Sequence, residues 1–199
     1  MGSRIGLLGG TFDPPHLGHV ALAAAAREQL ALDTVLFLPV GDPPHKQDQV
    51  VTAVSHRINM VQAAIAAHPH YTLDESDTHR PRPHSTATLL PLLRQQYPDA
   101  QFWLIIGGDS LRDFPTWHDP NEIVELCRLA VLARPSVNLD WERLQTAVSG
   151  LQTAVDFLDP PHFRISSTDI RQRVRDGDTI DGMVETAVCE YITTHQLYV

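Results

Sequence analysis

Cysteine is scarce in this chain, with only Cys127 and Cys189 among 199 residues. Isolated and without metal-like spacing, the pair gives no disulfide framework and reads as two buried structural thiols. Positive charge is short as well: 15 Lys and Arg stand against 24 Asp and Glu, a formal net charge of −9. That balance argues against general nucleic-acid binding, which needs a basic face. It leaves room for phosphate, because a local cluster of Arg, His and backbone N–H groups binds anions inside an acidic protein. No apolar run is long enough to span a bilayer, and Met1-Gly2-Ser3-Arg4-Ile5 enters a strand-like run without the apolar core of a secretory signal. A cytoplasmic protein without a membrane partner is the expectation. The common phosphate motifs GxxxxGKS/T and GxGxxG are missing, as is the HExxH zinc pattern.

What is present is ordinary globular composition, 43% hydrophobic and 20% charged. Short apolar runs alternate with amphipathic segments. Residues 5–8, 35–38, 102–106 and 129–132 read as buried strands ended by Gly or Pro, and 155–158 adds one more. Helical stretches cover 18–30, 53–67, 87–97 and 121–128, with closing helices over 169–175 and 183–195. This alternation predicts an α/β fold, a parallel sheet with helices on both faces. No repeat or linker divides it, so residues 1–199 are expected to form a single domain with a helical portion from about 166 to 199. The Pro- and His-rich segments 41–49 and 78–85 read as turns or flaps.

In such a sheet ligands bind beyond the carboxyl ends of the strands, where strand order reverses. The informative motifs fall there. After the first strand come Gly9-Gly10-Thr11-Phe12-Asp13-Pro14-Pro15-His16-Leu17-Gly18-His19. Paired glycines admit a close approach to the main chain. His16 and His19, three residues apart, are expected to project from one face of a helix start that already favours an anion. A zinc site would need a third ligand, which no neighbouring motif supplies. Near the other end stands Ile165-Ser166-Ser167-Thr168-Asp169-Ile170-Arg171. One hydroxyl suffices as an N-cap. Three in a row, followed by an arginine one turn later, make an anion nest with a charged fork beside it.

The run Gly9–Pro14 with His16-Leu17-Gly18-His19 resembles the signature of the HxGH nucleotidyltransferase superfamily, whose fold is Rossmann-like, and Ile165–Arg171 resembles its ISSTxxR motif. The resemblance implies that His16, His19 and Arg171 are catalytic and that Gly9, Gly10, Thr11, Phe12, Gly107, Asp109, Ser167 and Thr168 join them in binding ATP. Further blocks are similar to those of nicotinate mononucleotide adenylyltransferases: Pro43-Pro44-His45-Lys46, Arg57, Ile106-Gly107-Gly108-Asp109-Ser110-Leu111, Trp117 and Ala133-Arg134-Pro135. They imply an acceptor site containing His45, Lys46, Ser85, Thr86, Trp117, His118 and Arg134, with Trp117 stacked on a pyridine ring. His84-Ser85-Thr86-Ala87-Thr88-Leu89 departs from the usual Tyr-Thr-x-x-Thr-Leu. For Asp109 a helix N-cap and a ribose contact are both open, and for Arg57 a packing role.

The implied reaction moves AMP from ATP to nicotinate mononucleotide, with Mg²⁺ carried by the ATP phosphates and no protein metal ligand. His16, His19, Lys46 and Arg171 would supply a positive field. The alternatives are nicotinamide mononucleotide or phosphopantetheine as acceptor, a nucleotide-binding sensor without chemistry, and a His-based metallohydrolase. A homo-oligomer is left open.

Overall fold

β1 (Arg4–Gly10) and β2 (Thr34–Pro39) are followed by β3 (Tyr71–Leu73), β4 (Gln101–Gly107), β5 (Arg128–Leu132) and β6 (Val155–Leu158). In this computed structural model, which describes residues 2–41, 51–80, 84–132, 139–161 and 165–199, they form one sheet in the order β3-β2-β1-β4-β5-β6. Every neighbouring pair is parallel. The chain moves outward from β1 through β2 to β3, then returns to the other side of β1 with β4. The reversal therefore lies between β1 and β4, and the architecture is Rossmann-like.

Alternation along the strands decides which side chains face which layer. Leu7 lies opposite Leu36 and joins one core, whereas Leu8 lies opposite Phe37 and joins the other. Because both faces are covered, the strands read as continuous apolar runs. The helices are α1 (Leu17–Gln29), α2 (Val54–Ile65), α3 (Thr86–Gln96), α4 (Gly108–Asp113), α5 (Pro120–Leu126), α6 (Trp141–Ala147), α7 (Leu151–Ala154), α8 (Ser167–Asp176) and α9 (Thr186–Thr194). α1, α2, α8 and α9 bury Ala23, Ala26, Met60, Val61, Ile170, Val188 and Ile192 against one face. α3 to α7 bury Leu90, Leu93, Leu111, Ile123, Leu144 and Leu151 against the other.

Several elements were not expected. β3 has three residues, too few for alternation to register. α4 follows β4 without a loop, with Gly107 itself in the N-cap position, and α6 and α7 are shorter than the window that shows helical periodicity. Cys127 is buried, with Sγ 3.3 Å from the Ile123 carbonyl, and burial pushes its thiol pKa up to about 12. Cys189 is only half-buried, packed at the edge of the core that α9 helps to cover. Among the described residues no helix is long and apolar enough to cross a membrane.

Candidate active site

The site begins where β1 ends. His16 has extended backbone at φ −142° and ψ 168° and occupies the N-cap of α1, so it stands ahead of the helix and not on its face as expected. Its backbone N–H donates to His19 Nδ1 at 3.2 Å, and the two rings stack with centroids 3.7 Å apart. Because His19 Nδ1 accepts, the neutral ring carries its proton on Nε2. Gly18 makes this packing feasible: a Cβ there would lie 2.9 Å from His16 Nδ1. Phe12 closes the arrangement from below, its ring edge-on to His19 at 4.9 Å. Phe12 is 1% exposed, so its side chain supports His19 from the core, and only its backbone is left to meet a nucleotide.

Burial lowers the pKa of His16 to about 4. Burial, then the neighbouring His16, lowers that of His19 to about 3. The pair is therefore neutral near pH 7 without a ligand. This corrects the expectation of a standing positive field: the imidazoles offer N–H donors, and a fixed charge must come from elsewhere.

Arg171 supplies it. Its Nη1 donates to the Asp13 carbonyl at 2.7 Å and its Nη2 lies 3.4 Å from Thr168 Oγ1. Ser167 Oγ donates to the Pro14 carbonyl at 2.8 Å, and Leu17 N–H to the Met183 carbonyl at 2.9 Å. Residues from both ends of the sequence thus meet on loop 11–16. Ser166 is the N-cap of α8, accepting from Asp169 N–H at 3.1 Å. Ser167 already spends its hydroxyl proton on Pro14, whereas Thr168 is exposed.

Two further residues lie beneath this loop: Arg57, for which the sequence left a packing role open, and Asp13, to which it gave no role. Arg57 is 1% exposed and donates to four carbonyls, those of Thr11 and Val40 at 2.8 Å, Thr52 at 3.0 Å and Gly41 at 3.1 Å. It ties the end of β1 to the end of β2, a packing role. Asp13, 3% exposed, accepts from Tyr198 Oη at 2.7 Å and from Thr52 N–H at 3.3 Å. The sequence signal for Asp13 was a charged residue inside the recognisable block Gly9–Pro14.

At the exposed ends of β1 and β4, a Cβ at Gly9 or Gly107 would meet nothing within 4 Å among the described residues. At Gly10 the Phe12 ring would be 3.1 Å away. Thr11 is half-buried and gives its carbonyl to Arg57. Asp109 is not the N-cap; it sits in the first turn of α4, exposed and 3.5 Å from Arg112.

The remaining candidates are less tightly tied. Trp117 is half-buried, its ring 5.2 Å from that of Phe114. His118 is exposed and 3.2 Å from Asp119. Ser85 is the N-cap of α3, accepting from Thr88 N–H at 3.3 Å, and Thr86 is the first residue of that helix. Arg80, paired with Asp77, also holds the Ser85 carbonyl at 3.0 Å, a brace the sequence did not announce. His45, Lys46 and Arg134 lie outside the described residues. Among the described residues no group of three or more His, Cys, Asp or Glu side chains is placed to hold a metal ion.

Comparison with known proteins follows the same lines. A family model described as cytidylyltransferase-like matches residues 7–173. A protein of Thermomicrobium roseum named "Probable nicotinate-nucleotide adenylyltransferase" is 43% identical over 98% of this chain and 92% of its own length. One of Oceanobacillus iheyensis with the same name is 38% identical, over 98% and 96%. The solved structure of Plasmodium falciparum nicotinic acid mononucleotide adenylyltransferase complexed with NaAD superposes with a TM-score of 0.78. It covers 98% of this chain and 97% of that one at 19% identity, a likeness of fold. With relatives at such identity aligned along almost their whole length, this chain belongs to the nicotinate-nucleotide adenylyltransferase family of cytidylyltransferase-like proteins.

Proposed function

We propose that this chain transfers AMP from ATP to nicotinate mononucleotide, giving nicotinate adenine dinucleotide and pyrophosphate, and that residues 9–19 and 165–171 together hold the triphosphate. The observation that carries the reading is the meeting of Arg171 and Ser167 with the Asp13-Pro14 backbone beside the His16–His19 pair.

The acceptor's 5′-phosphate is already an anion, so attack on the α-phosphorus needs no general base. Catalysis then rests on in-line positioning and on stabilising charge that grows on bridging oxygens. His19 donates from Nε2, because Nδ1 is occupied by the His16 N–H. His16, whose buried Nδ1 has no partner, is the second imidazole of the stack. A triphosphate beside these rings supplies the counter-charge that burial withholds and draws their pKa values upward. Arg171 stays charged throughout and neutralises the α/β-phosphate region. The openings at Gly9 and Gly107 let the nucleotide lie against the strand ends.

Mg²⁺, carried in with ATP, would supply charge neutralisation on the phosphates, and no protein ligand is assigned to it. Within the loop, the Asp13 carboxylate accepts from Tyr198 Oη and Thr52 N–H. Trp117 would stack on the pyridine ring, with Ser85, Thr86 and His118 as further acceptor contacts; His45, Lys46 and Arg134, outside the described residues, are assigned to the same acceptor.

The test is pyrophosphate release from ATP with nicotinate mononucleotide, nicotinamide mononucleotide and phosphopantetheine offered separately. Preference for the first is expected. Equal or faster turnover of either rival rejects the acceptor assignment, and no release with any of them rejects the enzyme.

A further inference from the structure

Beyond α9 the chain folds back on itself. Leu197 N–H reaches the Ile192 carbonyl at 3.0 Å, with Gln196 at φ 49°, a helix-ending turn usually built on glycine. Tyr198 follows at φ 69°, a second left-handed residue that carries a Cβ. Such conformations are disfavoured for L-residues and persist where the surroundings over-determine them. Here they turn the Tyr198 ring inward while Val199 stays 87% exposed.

The Tyr198 hydroxyl ends under the phosphate loop, donating to Asp13 Oδ1 at 2.7 Å with Met60 Sδ 3.9 Å away. Burial, then the Asp13 carboxylate, raises its pKa far above the usual tyrosine range, so it stays a donor. Asp13 is a junction. Its other carboxylate oxygen accepts from Thr52 N–H at 3.3 Å, and its backbone carbonyl accepts Arg171 Nη1 at 2.7 Å. One residue therefore connects Tyr198 to the guanidinium assigned to the triphosphate.

We infer that Tyr198 is a positioning residue for AMP transfer, fixing through Asp13 the carbonyl that aims Arg171 at the phosphates. The inference rests on the proposed function. Without the hydroxyl, the buried Asp13 carboxylate keeps, among the described residues, a single long hydrogen bond, and the Asp13 peptide is free to tilt and release Arg171. Because Arg171 acts on charge that develops during transfer, the defect falls on turnover and spares acceptor binding.

The experiment pairs Tyr198→Phe, which keeps the ring and its packing, with the same change in an Arg171→Ala background. Steady-state pyrophosphate release and thermal melting are measured for each. In the otherwise native chain kcat should fall about 10-fold with the acceptor KM within about 2-fold. In the Arg171→Ala background the change should have no further effect, because the group it positions is gone. Wild-type kcat in Tyr198→Phe, or the same fold-loss in both backgrounds, overturns the inference. If Tyr198→Phe does not fold, Asp13→Asn is read by the same criteria. A native chain that releases no pyrophosphate overturns the proposed function and this inference together, whereas an active native chain with an indifferent Tyr198→Phe variant overturns only the inference.

Discussion

The end of the site proposed for the triphosphate and the end proposed for the acceptor are built differently. At the first, polar groups lock together across great sequence distance: Arg171 and Ser167 on loop 13–14, Tyr198 on Asp13, and Arg57 on the carbonyls of Thr11 and Val40. At the second, Trp117 leans on its near neighbour Phe114, His118 pairs with adjacent Asp119, and Ser85 caps its own helix. Long-range ties at the phosphates and local ties at the acceptor suit a division of labour. Charge stabilisation needs groups preorganised before the reaction, whereas choosing among acceptors needs surfaces that adjust to fit.

The sharpest way to break that contrast is to cut the tie beneath the phosphate loop. Arg57→Met takes the guanidinium donor from four partly buried carbonyls and puts a buried apolar chain in its place. It should cost about 3–5 kcal/mol of stability, read by chemical denaturation. A loss under about 0.5 kcal/mol would mean that Arg57 is not the clamp described.

Next in size is His19→Ala, expected to lower kcat for pyrophosphate release by about 10²–10³-fold. The folded state should lose only about 1 kcal/mol, the scale of an N-terminal cap. Turnover within about 3-fold of the native value would remove His19 from the mechanism. At the other end, Trp117→Ala should raise the acceptor KM roughly 10-fold through the lost stack, with ATP KM unchanged. An equal rise in both would dissolve the distinction between the two ends.

The histidine pair also makes stability depend on pH, in a direction fixed by its burial. Unfolded, each imidazole takes a proton near 6.5; folded, His16 does so near 4 and His19 near 3. The unfolded chain thus binds more protons between those values, so stability is complete above about pH 6.5 and falls as the solution is acidified. Each histidine contributes a slope of about 1.4 kcal/mol per pH unit within its window. Denaturation midpoints from pH 7 down to 5 check this, and replacing both histidines should flatten the curve. Smallest of all, His118→Ala removes an exposed pair and should change stability by less than about 0.5 kcal/mol in a melting experiment.

Much of this was legible from residues alone. The apolar runs at 5–8, 35–38, 102–106 and 129–132 each became a strand, because parallel strands covered on both faces need unbroken apolar character, and 155–158 became the edge strand β6. β3 escaped notice because a three-residue edge strand carries too little pattern. The His16–His19 and Ser166–Arg171 blocks were visible because their spacing is local. Their orientation was not: His16 became a cap, Ser167 turned to Pro14, and Phe12 went into the core.

By itself, then, the sequence determined the alternation of strands and helices and the two motifs fit for phosphate, since both depend on neighbours along the chain. Tertiary structure decided the charge state of the histidines, the burial of Arg57 and the reach of Tyr198 to Asp13. Desolvation and hydrogen bonding between residues as far apart as 13 and 198 exist only once the chain has folded, and no local spacing encodes them.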